Sequence, residues 1–220
     1  MKRIDTATWP RASHFAFFRS LAQPHYVVCA ELEARAFKTY AKAEGLSLFL
    51  GLAWAATTAA NAVPELRTRF RGERGSEEVV EHTVLHPSVT VPLPGGLFNF
   101  CILDFERDFR DFAAASTPRI REAEQAGRLL DASEGRDDMI FLTSLPWLRF
   151  TSMTFCTGGP EDCIPRVAWG RLTETGGGLA LPVAVHAHHA LADGLHLSRF
   201  LDALQAVLDA PAAHLGGRTG

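Results

Sequence analysis

The sequence predicts an α/β (α+β) two-layer sandwich, in which helices pack on a mixed β-sheet. Three observations lead there: six runs have the apolar or alternating character of strands, two segments have helical apolar spacing, and the Gly- and Pro-rich pieces between them are short. No repeat, low-complexity tract or extended linker divides the chain, so residues 1–220 are expected to form one domain. At this length about 70% of the unfolded chain's surface is buried on folding. The 47% of hydrophobic residues supplies the core side chains.

In chain order, Tyr26–Leu32 reads as a strand. The stretch Leu46–Val63 is apolar enough to raise the membrane question, but Ser47, Thr57, Thr58, Asn61 and its many alanines make it a buried helix from Leu48 that stops at Pro64. Val79–Val91, Met139–Thr143, Phe150–Phe155 and Val167–Thr173 follow as strands. The last strand is Leu179–His189. Pro182 cannot donate to a ladder there, so that strand is expected at an edge or irregular near its start. After Asp193-Gly194, an apolar stripe through Leu197, Phe200, Leu201, Leu204, Val207 and Leu208 predicts an amphipathic helix, with Pro211 just beyond its end.

With 22 basic and 25 acidic residues the net charge is −3, which lacks the broad positive field that nucleic acid requires. The charged start, Met1-Lys2-Arg3-Ile4-Asp5, leads to no apolar signal region, so a cytoplasmic protein without a membrane association is expected. Cys29, Cys101, Cys156 and Cys163 form no Cys-x-x-Cys pair and read as reduced, buried thiols, with a Cys156–Cys163 pair left open. The Gly95-Gly96 and Gly158-Gly159 loops lack the spacing that cradles phosphate.

The densest chemistry lies in Val185–His196, where His186, His188, His189, Asp193 and His196 fall within a dozen residues. A metal site has the right ligand types here, but strand parity opposes it. His189 shares a face with Val183 and Val185, whereas His186 and His188 point the other way, so no metal is expected. A second reading is packed, hydrogen-bonded histidines. A third makes His189 a buried neutral imidazole ahead of a tight Asp-Gly turn, which is what a general base near pH 7 requires.

His188-His189-Ala190-Leu191-Ala192-Asp193-Gly194 has the form H-H-x-x-x-D-G before a helix, which resembles the active-site motif of chloramphenicol acetyltransferases. Related motifs occur in dihydrolipoamide acyltransferases and in peptide-synthetase condensation domains. Trp9–Phe15, Pro64–Arg67, Leu85–Ser88 and Leu145–Ser152 resemble the same family in the same order, so the likeness covers nearly the whole chain.

The resemblance implies an acetyl-CoA-dependent O-acetyltransferase for chloramphenicol or a related acceptor, with acetyl-CoA as co-substrate. An acyltransferase for another alcohol or amine, or a non-catalytic relative, are its alternatives. It assigns His189 as the general base and Ser152 as donor to the transition-state oxyanion, a role worth on the order of 3 kcal/mol. Asp193 and Arg11 become a structural ion pair behind the histidine. The implied assembly is a homotrimer with active sites at subunit interfaces. Phe17, Phe18, Tyr26, Phe98 and Phe155 align with the acceptor pocket, and Arg171 is expected near the CoA phosphates. Departures from the family pattern fall mainly around the acceptor and the cofactor: Phe18 stands for a tyrosine, Pro24 for a cysteine, Ala168 for a threonine, Leu172 for an aromatic residue, and Cys156–Cys163 replaces the usual loop.

Overall fold

A computed structural model describes residues 1–216. The elements, in chain order, are β1 (Lys2–Ile4), α1 (Ala12–Arg19), β2 (His25–Glu33), α2 (Arg35–Ala43), α3 (Leu48–Asn61), β3 (Thr68–Arg71), β4 (Glu78–Glu81), β5 (His86–Pro92), β6 (Phe98–Ile102), α4 (Phe109–Gln125), β7 (Met139–Ser144), β8 (Arg166–Trp169), β9 (Thr173–Thr175), β10 (Gly178–His188), α5 (Gly194–Asp209) and α6 (Pro211–Leu215). The main sheet runs β2-β10-β8-β7-β5-β6, with β9 beside β10, and a small sheet runs β1-β4-β3. The main sheet is mixed: β5, β7 and β8 are parallel neighbours, while β2, β8 and β9 pair antiparallel with β10. The predicted fold class is the observed one.

Helices α2 to α5 cover one face of the main sheet, against Leu142, Val167, Leu181, Val183 and Val185. The α3 helix sits at the centre of this layer and is buried nearly all round, as an apolar helix without a polar face has to be. Ser47 caps it by accepting the Leu50 N–H. Gly51 lets it approach α2: a Cβ there would lie 3.0 Å from the Phe37 ring.

Several expectations change. Val79–Val91 is not one strand but β4 and β5 in different sheets. Asn61 holds the Leu85 backbone with two hydrogen bonds and Arg67 holds the His82 carbonyl, so the chain between is pulled out of the ladder. Val167–Thr173 is likewise split into β8 and β9 at Gly170, where a Cβ would lie 2.5 Å from the Leu148 carbonyl oxygen. Phe150–Phe155 is not a strand: from Arg149 to Thr157 no main-chain hydrogen bond forms among the described residues. Helices α1, α2 and α4 were not expected. The first two are short and lack side-chain caps, and α4 carries Pro118 inside.

Pro182 lies inside β10, paired with Glu31 of β2 on one side; on the other the ladder is interrupted between β8 and β9, in line with the irregularity expected near the strand's start, and the Pro182 carbonyl accepts the Gly170 N–H at 3.0 Å. Its nitrogen therefore faces the break between β8 and β9, where no donor is needed. Among the described residues, no helix is long and apolar enough to cross a membrane. Cys156 is exposed rather than buried, Cys29 and Cys163 are half-buried, and all four thiols are free.

Candidate active site

Strand β10 ends at His188, and a tight turn leads to Asp193, the N-cap of α5, whose Oδ1 accepts the Leu195 N–H at 3.1 Å. Arg11, just ahead of α1, reaches this turn from the other end of the chain. Its Nη1 donates to Asp193 Oδ2 at 2.8 Å, its Nη2 to the His189 carbonyl at 2.9 Å, and its Nε to the Ala190 carbonyl at 2.8 Å. One guanidinium thus fixes the cap and both carbonyls of the turn. Burial pushes the Asp193 carboxyl up, but the Arg11 hydrogen bond and the nearby His196 outweigh it and hold the group below the usual carboxylate range.

The two adjacent histidines of the turn have opposite environments. His188 is buried. Its Nδ1 accepts the Ala190 N–H at 3.1 Å, so the ring proton sits on Nε2, which donates to the Pro160 carbonyl at 3.1 Å. Both nitrogens are committed, and burial, reinforced by His25, pushes its pKa down to about 3. His189 is held at its main chain, where its N–H donates to the Pro24 carbonyl at 2.8 Å. Its ring lies between Phe18, stacked at 3.8 Å, and Tyr26, tilted at 4.4 Å. His189 Nδ1 is buried without a hydrogen-bond partner among the described residues, which leaves Nε2 as the nitrogen open to a reacting group. Of the two, only His189 has a ring nitrogen free to exchange a proton.

The remaining expected residues are not all gathered here. Phe17 packs edge-on against Phe18 but is 61% exposed. Tyr26 contacts His189 directly, and its hydroxyl is buried without a hydrogen-bond partner among the described residues. Phe155 leans on His186 at 5.5 Å, on the opposite face of the sheet. Ser152 is exposed in the unpaired Arg149–Thr157 stretch, and no hydrogen bond joins it to His189 among the described residues.

Phe98 and Arg171 lie elsewhere, in a cleft of about 670 Å³ whose walls include Leu48, Phe49, Trp147 and Trp169, with Lys38 also on its lining. Trp169 pairs with Val183, six residues before His189 on β10. At about 3.3 Å per residue Trp169, on the lining of the cleft, is therefore about 20 Å along the strand from His189. The cleft is mainly apolar, with Lys38 and Arg171 as cationic and Glu124 as acidic side chains on its lining. Among the described residues, no cluster of three or more His, Cys, Asp or Glu is arranged to hold a metal ion.

Two residues outside the sequence expectations join the site. His196, at the third position of α5, brings Nδ1 within 3.0 Å of the Asp193 N–H, and its Nε2 lies 3.3 Å from Glu65 Oε1. The pattern Asp-x-x-His carried the signal, because a side chain three residues after an N-cap can reach back to the cap's N–H.

A family model described as chloramphenicol acetyltransferase matches residues 1–205. A chloramphenicol acetyltransferase of Streptomyces acrimycini is 30% identical over 211 residues, 95% of this chain and 94% of that protein. Chloramphenicol acetyltransferase 2 of Escherichia coli is 25% identical over 94% of this chain and 96% of its own length. A solved chloramphenicol acetyltransferase structure superposes with a TM-score of 0.83 at 27% identity, covering 93% of this chain and 98% of that one. A dihydrolipoamide acetyltransferase of Azotobacter vinelandii shares the fold, with a TM-score of 0.68 at 16% identity.

Proposed function

The chain belongs to the chloramphenicol acetyltransferase family of acyltransferases, and from that membership we propose that it transfers acetyl from acetyl-CoA to a hydroxyl of chloramphenicol or a related small acceptor. Acetyl-CoA supplies the thioester. His189 Nε2 takes the proton of the acceptor hydroxyl as that oxygen bonds to the thioester carbonyl carbon, so no acyl-enzyme forms. When the carbon–sulfur bond breaks, the leaving thiolate takes the proton back from His189. Ser152 donates a hydrogen bond to the carbonyl oxygen while negative charge grows on it. Arg11 and Asp193 hold the turn, and Phe18 and Tyr26 hold the ring. The observation that carries the reading is the contrast between the fully committed His188 and the open Nε2 of His189.

In this reading three chains form a homotrimer, and a neighbour's Ser152 meets His189 across the interface. The exposed segment around Ser152, with its main chain unpaired inside one protomer, supports that arrangement. The 670 Å³ cleft, lined also by Phe98, takes the CoA arm, with Arg171 and Lys38 toward the phosphates, and Phe17, Phe18 and Tyr26 serve the acceptor beside His189. A different alcohol or amine acceptor is the second reading, favoured by Phe18, Pro24 and Ala168 standing where the family pattern has polar or thiol side chains.

The test combines acetyl-CoA with chloramphenicol, and separately with other hydroxylated acceptors and amines, following released CoA thiol and the mass of the product. A product O-acetylated on chloramphenicol supports the first reading. Turnover of another acceptor alone supports the second, and no thiol release with any acceptor overturns both.

A further inference from the structure

We propose that Glu65 and His196 are positioning residues that set the pose of Asp193, and through Arg11 that of His189; this rests on the acyltransferase reading with His189 as base. Four links make the chain. Glu65 belongs to the short helical turn Pro64–Arg67 that follows α3, and its Oε1 lies 3.3 Å from His196 Nε2. Its other oxygen is buried with no hydrogen bond, so His196 is the polar partner of this carboxylate among the described residues. His196 Nδ1 in turn meets the Asp193 main-chain N–H at 3.0 Å. Nδ1 also lies 2.9 Å from Asp193 Oδ1, but the main-chain N–H has a fixed direction and points at Nδ1, so Nδ1 accepts and the ring proton sits on Nε2, facing Glu65. Asp193 then presents Oδ2 to Arg11, which binds the carbonyls of His189 and Ala190.

The geometry gives each member a distinct task. Asp193 as an N-cap needs only its side chain to start α5. Its own N–H is a second anchor, and His196 supplies it from within the helix. Without Glu65 the His196 ring has no carboxylate against Nε2 and can turn away, which frees the Asp193 main chain and lets the carboxylate drift from Arg11. The His189 ring then samples poses outside reaction distance. Such a loss lowers kcat and leaves KM nearly unchanged, because neither residue is on the lining of the 670 Å³ cleft.

The experiment uses the full chain with three substitutions. Glu65→Ala removes the contact. His196→Glu keeps an acceptor for the Asp193 N–H, since glutamate at this helix position reaches back in the same way, but places a carboxylate against Glu65. Glu65→Gln keeps an oxygen facing Nε2. We expect kcat to fall about tenfold in Glu65→Ala and His196→Glu with both KM values within about twofold, and Glu65→Gln to stay within about threefold of the parent. Amide exchange at Asp193 is the independent readout, expected about tenfold faster in Glu65→Ala and unchanged in Glu65→Gln. The proposal is overturned if Glu65→Ala retains the parent kcat, if KM rises in step with the loss of kcat, or if the Asp193 amide is unaffected. If the parent protein itself releases no CoA thiol, the acyltransferase reading fails, and the Asp193 exchange rates alone still decide whether Glu65 holds the cap.

Discussion

The ring of Phe18 lies flat on the imidazole of His189, with centroids 3.8 Å apart and planes 4° from parallel. A stacked aromatic pair of this kind contributes about 1 kcal/mol beyond the area it buries. More importantly, it allows the imidazole to slide little and tilt hardly at all. Phe18→Ala is expected to lower kcat/KM about tenfold, and Phe18→Tyr to stay near the parent value. Steady-state kinetics of CoA thiol release reads both, and an unchanged Phe18→Ala would remove the stack from the account.

Arg11 ties the N-terminal segment to the histidine turn through three hydrogen bonds. In Arg11→Ala the carbonyls of His189 and Ala190 and the Asp193 carboxylate lose a donor together. Asp193 keeps 36% side-chain exposure, so water recovers part of the loss. The net cost is expected near 2 kcal/mol, below the range for a fully buried pair. At this chain length that corresponds to a fall in Tm of about 4–8 °C. Thermal melting measures it, and a coincident melting curve would contradict the clamp.

Ser152 is exposed within one protomer, yet the acyltransferase account gives it the oxyanion. Ser152→Ala is expected to reduce kcat by about a hundredfold with KM nearly unchanged. Sedimentation of the same samples is expected to give a trimer for both proteins. Parent-like kcat in Ser152→Ala would show that some other donor faces the oxyanion.

The cluster of His25, His186 and His188 on the far face of the sheet makes stability depend on pH. Burial first, then the Arg166 charge for His186 and His25 for His188, pushes both His186 and His188 down to about 3 in the folded chain. In the unfolded chain they titrate near the ordinary value of about 6.5. Between those limits the unfolded state binds more protons, so stability is fully present above pH 6.5 and is lost as pH falls toward 3. Urea midpoints taken from pH 7 down to pH 4.5 are expected to drop steadily, and to drop less in His186→Gln. A flat profile in the parent would contradict the neutral burial of these rings.

Much of this architecture was legible in the residues, and the gaps have physical causes. The α5 stripe from Leu197 to Leu208 and the apolar run of α3 mark their helices because packing on one layer imposes a period that composition displays. Strand parity separated His189 from His186 and His188, and the strand's end at His188 leaves His189 still beside Tyr26 on the core side. What escaped depends on contacts distant in sequence. The break between β4 and β5 is set by Asn61 and Arg67, and that between β8 and β9 by the approach of Leu148 to Gly170. Phe150–Phe155 has strand-like residues but no ladder partner among the described residues. Phe98 and Arg171 align with a single site by sequence, yet they line a cleft distant from the same chain's His189. Glu65 and His196 escaped because their meaning lies in a contact across 131 residues of sequence.

The central claim is that His189 removes the acceptor proton, and one comparison tests it most directly. Release of CoA thiol from acetyl-CoA, with and without chloramphenicol, is measured for the parent protein and for His189→Ala. The account predicts chloramphenicol-dependent release by the parent and a rate about a thousandfold lower in His189→Ala, the span that a positioned general base contributes. Equal chloramphenicol-dependent rates in the two proteins would contradict it.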